Sequence, residues 1–183
     1  MGFFDVFANN VLIKRLRGQT GHADLVAQMV GTRLGDRVLV IGGGDGRLVA
    51  AVGAPTGLTG RVTAVEPDAT VANRVEVAAT AAGVLVEVEA AGFDRLPFED
   101  AAFDVAVVPM PATAESLGAA LADAWRVIRI GGRAMVVATA GVPESAGIIA
   151  ALGHAGFRAA RLLSEREGLA FYESSRPANR NSG

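Results

Sequence analysis

The chain has 183 residues, 51% of them hydrophobic and 20% charged, with a formal net charge of -2 and no cysteine. Those figures describe one globular domain with a full core, and they exclude disulfides, thiolate catalysis and cysteine-held zinc. A net charge of -2 gives no strong signal for nucleic-acid binding, and no run of about 18 apolar residues is present to make a transmembrane helix.

In chain order, MGFFDVFANNVLIKRLRG sets Phe3, Phe4, Phe7, Val11 and Leu12 against Lys14, Arg15 and Arg17. This is the pattern of an amphipathic helix. Residues 1–20 read as a helix packed on the domain edge, as a lid over a substrate pocket or, third, as a membrane-surface contact. The segment lacks the basic, apolar, cleavage-site order of a signal peptide, so cytoplasm is the expected compartment.

Arg37 to Ile41 is a continuous apolar run ending in glycines, which suits a buried parallel strand. A helix is predicted from Gly46 to about Val52, a strand from Arg61 to Glu66, and a helix from Asp68 to Ala82 with Asp68 as N-cap and Gly83 as stop. Strands follow at Val84 to Glu89 and Phe103 to Val108. Leu117, Leu121, Trp125 and Ile128 share one face of the next helix. Gly131 and Gly132 make a turn, Ala134 to Ala138 a fifth strand, and Pro143 opens a helix reaching about Ala155. Arg158 to Leu163 and Leu169 to Glu173 then pair antiparallel across a turn near Glu167 and Gly168. The polar stretch 174–183 is expected to be a flexible tail. Strand and helix in alternation predict a Rossmann-like, doubly wound α/β sheet of seven strands, mostly parallel with an antiparallel last strand. In such sheets ligands sit beyond the C-terminal strand ends, where strand order reverses.

The most informative local motif is VLVIGGGDGRL, Val38 to Leu48. Gly42, Gly44 and Gly46 form GxGxG between a strand and a helix, where glycine permits a tight turn and close backbone approach to a ligand. The alternative is a purely structural turn. Glu66 ends the second strand, 20 residues after Gly46, and a carboxylate there can accept from both hydroxyls of a ribose. These two features alone do not separate a nicotinamide dinucleotide from S-adenosylmethionine. The dinucleotide fingerprint is GxGxxG, and its sixth position here is Arg47. An arginine there is expected to obstruct helix–strand packing around a pyrophosphate.

Four segments resemble the class I S-adenosylmethionine-dependent methyltransferases, and within them the ubiquinone and menaquinone methyltransferase-like branch. They are VLVIGGGDG, VTAVEPD, LPFEDAAFDVAVV (Leu96 to Val108) and AWRVIRIGGRAMVV (Ala124 to Val137), with AGFRAARLL and LAFYES as closing strands. The resemblance spans roughly residues 20 to 174. It implies S-adenosylmethionine as cofactor, a small-molecule methyl acceptor and a set of cofactor-binding residues. Gly42, Gly43, Gly44, Asp45 and Gly46 would line the methionine and ribose side. Glu66 would hold the ribose hydroxyls and Pro67 would border the adenine. Gly92, Phe93 and Asp94 would flank the adenine ring. Pro109, Met110 and Pro111 would face the transferred methyl. The chain departs from the family pattern at Val40 and Gly92, where an acid is usual, and at Arg129 and Ile130, in place of lysine and proline. Two other readings stay open: a degenerate S-adenosylmethionine-binding protein without turnover, and a nicotinamide-dependent oxidoreductase.

His22 and His154 are the only histidines. They suggest no metal site. His154, near a helix end, reads as structural, and His22 as a weak candidate contact on the N-terminal side of the cofactor. No serine has a histidine partner at a recognisable spacing. No catalytic base is therefore assigned, and methyl transfer to an acceptor that is already nucleophilic needs none: placing its lone pair in line with an activated methyl can supply about 7 kcal/mol or more of barrier reduction.

Overall fold

The computed structural model describes residues 20–109, 114–141 and 145–178. The predicted N-terminal helix, Met110, Pro111 and Pro143 lie outside the described residues. Seven strands form one sheet: β1 Arg37–Ile41, β2 Arg61–Val65, β3 Val86–Glu89, β4 Phe103–Pro109, β5 Ile128–Thr139, β6 Arg158–Arg166 and β7 Leu169–Ser175. Among the described residues five α-helices accompany them: α1 Thr20–Val30, α2 Arg47–Gly53, α3 Ala69–Ala81, α4 Ala114–Val127 and α5 Ser145–Ala155.

The spatial order is β3-β2-β1-β4-β5-β7-β6. Neighbours from β3 to β5 pair parallel, while β7 runs antiparallel to both β5 and β6. The order reverses between β1 and β4, so the cleft expected of this topology opens beyond the ends of those two strands.

Alternation along β1 divides the core. Val38 and Val40 join a cluster with Leu25, Val26 and Val30 of α1, Leu48, Val49 and Val52 of α2, and Val75 and Ala79 of α3. Leu39 and Ile41 face the other way, onto Leu117, Leu121 and Ala124 of α4 and Ile148 and Leu152 of α5. The result is three layers, with a sheet buried on both faces, as a strand made of a continuous apolar run requires. Val40 is fully buried, paired with Ala64 and Val107 in the ladders of β1. An acid there would have no solvent to face.

Capping behaves as the sequence implies. Asp68 Oδ1 accepts from the backbone N–H of Thr70 (2.7 Å) and Val71 (3.1 Å) and starts α3. Those backbone N–H groups hold its carboxyl below the usual carboxylate range. Gly83 ends α3 at φ 79°. Val84 is folded back by a bond from its N–H to the carbonyl of Ala79 (3.0 Å), so β3 begins at Val86, two residues later than predicted.

Three expectations are corrected. Helix α1 was not foreseen, although Leu25, Val26 and Val30 are buried along it. Ile128 belongs to β5 instead of the preceding helix, because it pairs with Phe103 of β4. Strand β5 then runs on through Gly131 and Gly132, where a free turn was expected. The reason is Arg176: its carbonyl accepts from Gly131 N–H and its own N–H donates to the Gly132 carbonyl, both at 2.8 Å.

The tail correction has the same cause. Strand β7 continues through Ser175, and Ser174 is buried. The Arg176 guanidinium lies 4.1 Å from the centroid of the Trp125 ring and donates to the carbonyls of Arg126 and Ile128. Residues 174–176 are therefore docked, and residues 179–183 lie outside the described part.

Candidate functional site

The site grows from the end of β1. Gly42 N–H donates to the Val65 carbonyl (3.0 Å), extending the β1–β2 ladder by one step. The chain then leaves the sheet through positive φ at Gly42 (96°), Gly44 (64°) and Gly46 (83°), conformations that only glycine adopts readily. The glycines of the turn do different things. A Cβ on Gly42 would sit 3.8 Å from the Phe93 ring. A Cβ on Gly43 would press on Val49 and Val75 at 3.0–3.1 Å. On Gly46 it would lie 2.7 Å from the Ala78 Cβ and 2.9 Å from the Val75 carbonyl. Gly46 is therefore the position of closest helix approach, serving α3 packing.

Arg47, expected to obstruct that packing, does not. Its side chain is about half exposed and its Nε lies 3.7 Å from Asp45 Oδ2. Asp45 Oδ1 accepts from the Arg47 backbone N–H at 3.1 Å, so Asp45 braces the start of α2.

One strand over, Glu66 continues β2, its N–H donating to the Glu89 carbonyl at 3.0 Å. Its side chain turns into the loop and is buried, with Oε1 accepting from Gly44 N–H at 2.6 Å. This charge-assisted bond ties the glycine turn to the end of β2. A carboxylate has about four lone-pair directions and can serve more than one donor.

The remaining predicted residues fall around this centre. Phe93 is buried in the α4-side core with its ring edge at Gly42. Pro67 is half-buried and Asp94 exposed. A Cβ at Gly92 would meet Asp94 Oδ1 at 2.7 Å, a contact that the exposed Asp94 side chain can relieve by turning aside. Pro109 closes β4, buried and paired with Val137. The glycine turn, Glu66, Phe93 and Pro109 thus sit at the same edge of the sheet, at the ends of β1, β2 and β4 and beside them.

Sequence reasoning missed what holds Phe93 in place. Segment 92–100 has no regular structure, yet Leu96 N–H donates to Asp123 Oδ2 at 2.6 Å. Arg126 donates to the carbonyls of Phe98 (2.6 Å) and Leu96 (2.9 Å), and to Asp123 Oδ1 (2.8 Å) and Asp100 Oδ1 (3.0 Å). Asp123 and Arg126 are three apart on α4, where side chains meet. Partial burial pushes the Asp123 carboxyl up, but hydrogen bonds from Arg126 and from the Leu96 N–H outweigh it and hold it below the usual carboxylate range. The same pairing raises Arg126. The usable signal was an i,i+3 acid–arginine pair ending a helix that faces an irregular, apolar-rich stretch.

A profile of the methyltransferase domain matches residues 38–132, more than half of the chain. The chain belongs to the methyltransferase domain family. Its cofactor is S-adenosylmethionine, and it is an S-adenosylmethionine-dependent methyltransferase. The fold of the methyltransferase is similar to that of an S-adenosylmethionine-dependent methyltransferase from Aquifex aeolicus, with TM-score 0.76 and 19% identity over 90% of this chain and 96% of that one. It is similar also to an S-adenosylmethionine-dependent O-methyltransferase from Thermotoga maritima, with TM-score 0.76 and 16% identity over 94% and 74% of the two chains. The cyclase SpnF shares the fold as well, with TM-score 0.68 and 17% identity over 87% and 81%. No curated protein sequence matches the methyltransferase.

The residues present suit this cofactor. The glycine turn lets backbone approach a ligand, a buried carboxylate lies one strand away, and Phe93 gives an apolar wall. Among the described residues no group of three His, Asp or Glu is placed to hold a metal, and no helix is long and apolar enough to cross a membrane.

Proposed function

We propose that this methyltransferase methylates a small molecule, as the ubiquinone and menaquinone methyltransferase-like branch does, working as one cytoplasmic domain. In this reading Glu66 accepts from the ribose hydroxyls, and backbone at Gly42, Gly43 and Gly44 borders the ribose and methionine. Pro67, Phe93 and Asp94 border the adenine, and Pro109 faces the acceptor side. When bound, the cofactor supplies a methyl group already activated on a sulfonium. What the chain's own residues must do is bind, orient and exclude water.

The observation that carries this is Glu66: a buried carboxylate at the end of β2, held against the glycine turn by Gly44. The net charge of -2 supports a small acceptor over a polyphosphate. Isothermal calorimetry with S-adenosylmethionine and S-adenosylhomocysteine tests the reading. Glu66→Ala should weaken binding by about 1.5–3 kcal/mol, the range for a hydrogen bond to a charged group, with circular dichroism confirming the fold. Equal affinity in variant and parent would remove Glu66 from the site.

A further inference from the structure

We infer that His22 and Glu167 form a proton-accepting pair on the acceptor side of this site, with His22 Nδ1 taking the proton of a hydroxyl acceptor while Glu167 orients the ring. The inference rests on the methyl-transfer reading above and adds the acceptor's chemistry to it.

The placement follows from two directions. Just beyond α1, the Thr32 hydroxyl donates to the carbonyl of Val52, at the far end of α2 (2.7 Å). The two helices pack side by side and run the same way, from the C-terminal edge of the sheet to the N-terminal edge. Ten residues back from Thr32, at about 1.5 Å of rise per residue, His22 stands level with the glycine turn that precedes α2. From the other side, Leu169 pairs with Thr139 at the end of β5, so the turn before Leu169 projects past that same edge. The two meet: His22 Nε2 lies 3.9 Å from Glu167 Oε2. β5 is two strands from β1, on the side away from Glu66. A ligand anchored at β1 and β2 extends its reactive end toward it.

Two features of the pair are otherwise unexplained. His22 is only 4% exposed, and its Nδ1 has no hydrogen-bond partner among the described residues. Buried polar atoms are nearly always paired, so an orphan asks for a ligand. Glu167 and Gly168 form a two-residue hairpin turn between paired Arg166 and Leu169, with φ 51° and 77°. Such turns favour Asn-Gly or Asp-Gly. A glutamate held at positive φ at a site's edge is strain that a function would account for.

The chemistry balances without further reagents. An imidazole with its proton on Nε2, turned toward a carboxylate, presents Nδ1 as acceptor. The acceptor oxygen forms a bond to the methyl carbon, the carbon–sulfur bond breaks with its electron pair going to sulfur, and the hydroxyl proton passes to His22 Nδ1. Glu167 then faces the imidazolium. The 3.9 Å approach is longer than a hydrogen bond, as such contacts often are before substrate binds.

The chain has two histidines, so nitrogen-15 spectra of the full-length protein contain two imidazole signal sets, with His154 as internal control. In the ligand-free protein His22 should carry its proton on Nε2. A proton on Nδ1 overturns the proposal. Methyl transfer from S-adenosylmethionine is then measured on ring-substituted phenols of graded acidity. His22→Asn should lower turnover on weakly acidic phenols by roughly 100-fold or more, with an unchanged Kd for S-adenosylhomocysteine. The deficit should shrink on phenols already ionised in the assay. Glu167→Asn should raise the melting temperature, because asparagine suits the turn, and still lower turnover. A uniform deficit across the series, or an affinity loss of the same size, makes His22 structural and overturns the pair. Cofactor binding with no phenol methylated overturns the hydroxyl assignment. Failure of the parent to bind cofactor sinks the methyl-transfer reading itself, while the tautomer still decides the pair.

Discussion

The methyltransferase contains two aspartate–arginine clusters of the same chemistry, one bracing strands of the sheet and one bracing an irregular segment. At the N-terminal edge, Asp104 of β4 accepts from the backbone N–H (2.8 Å) and Nε (3.2 Å) of Arg37, which opens β1, and from Nε of Arg129 on β5. It staples β1 and β5 to β4, which already pairs with both. On α4, Asp123 and Arg126 bond instead to the backbone of segment 92–100, which has no ladder of its own and carries Phe93 to the glycine turn. The first cluster duplicates what the sheet supplies. The second replaces a ladder that is missing, so it should bear on ligand binding as well as stability.

Arg126→Met puts the largest strain on this distinction. It removes the donors to Leu96 and Phe98 and leaves Asp123 partly buried without its partner. With a third of the arginine side chain exposed, the expected loss is about 2 kcal/mol of stability by urea unfolding. The Kd for S-adenosylhomocysteine should also rise roughly tenfold, about 1.4 kcal/mol, because the wall at Phe93 loosens. An unchanged Kd would make the two clusters equivalent and end the comparison.

Asp104→Asn should be milder, about 1 kcal/mol of stability, with calorimetric affinity for S-adenosylhomocysteine unchanged. A rise in Kd there would show that bracing at the far edge reaches the site.

The smallest effect is on acid stability, where the clusters should act alike. Partial burial pushes the Asp104 carboxyl up, and is outweighed by hydrogen bonds from Arg37 and Arg129, so it titrates below its ordinary value, as Asp123 does. A carboxyl lowered on folding contributes stability that is complete above its unfolded pKa, near 4, and is lost as pH falls through the folded value. The urea midpoint should therefore hold from neutral pH to about 4 and decline below it. Asp104→Asn and Asp123→Asn should each make that decline shallower.

Much of this was legible in the sequence because it depends on neighbours in the chain. Arg37 to Ile41 reads as a buried strand from its five residues alone, and the GxGxG turn and Asp68 cap are local conformational demands. Glu66 was found because the geometry of one β–α–β unit fixes its distance from the glycines. Even Val40, a departure from the family pattern, has a local explanation as a core residue of β1.

What only the tertiary structure decided lies where distant residues meet. Gly46, and not the position of Arg47, accommodates the closest helix approach, because it is Ala78 and Val75 of α3 that press on it. Ser174 to Arg176 read as a loose polar tail, yet they complete β7 and dock on Trp125, an energy that no property of the tail itself reveals. Arg126 reaches a segment 26 to 30 residues earlier, and His22 meets Glu167 across most of the chain. Residue type and spacing fix conformations whose interactions lie within a turn or a strand pair. Contacts across the sequence depend on which strands lie side by side, and that order, β3-β2-β1-β4-β5-β7-β6, is settled by burying both faces of the sheet at once.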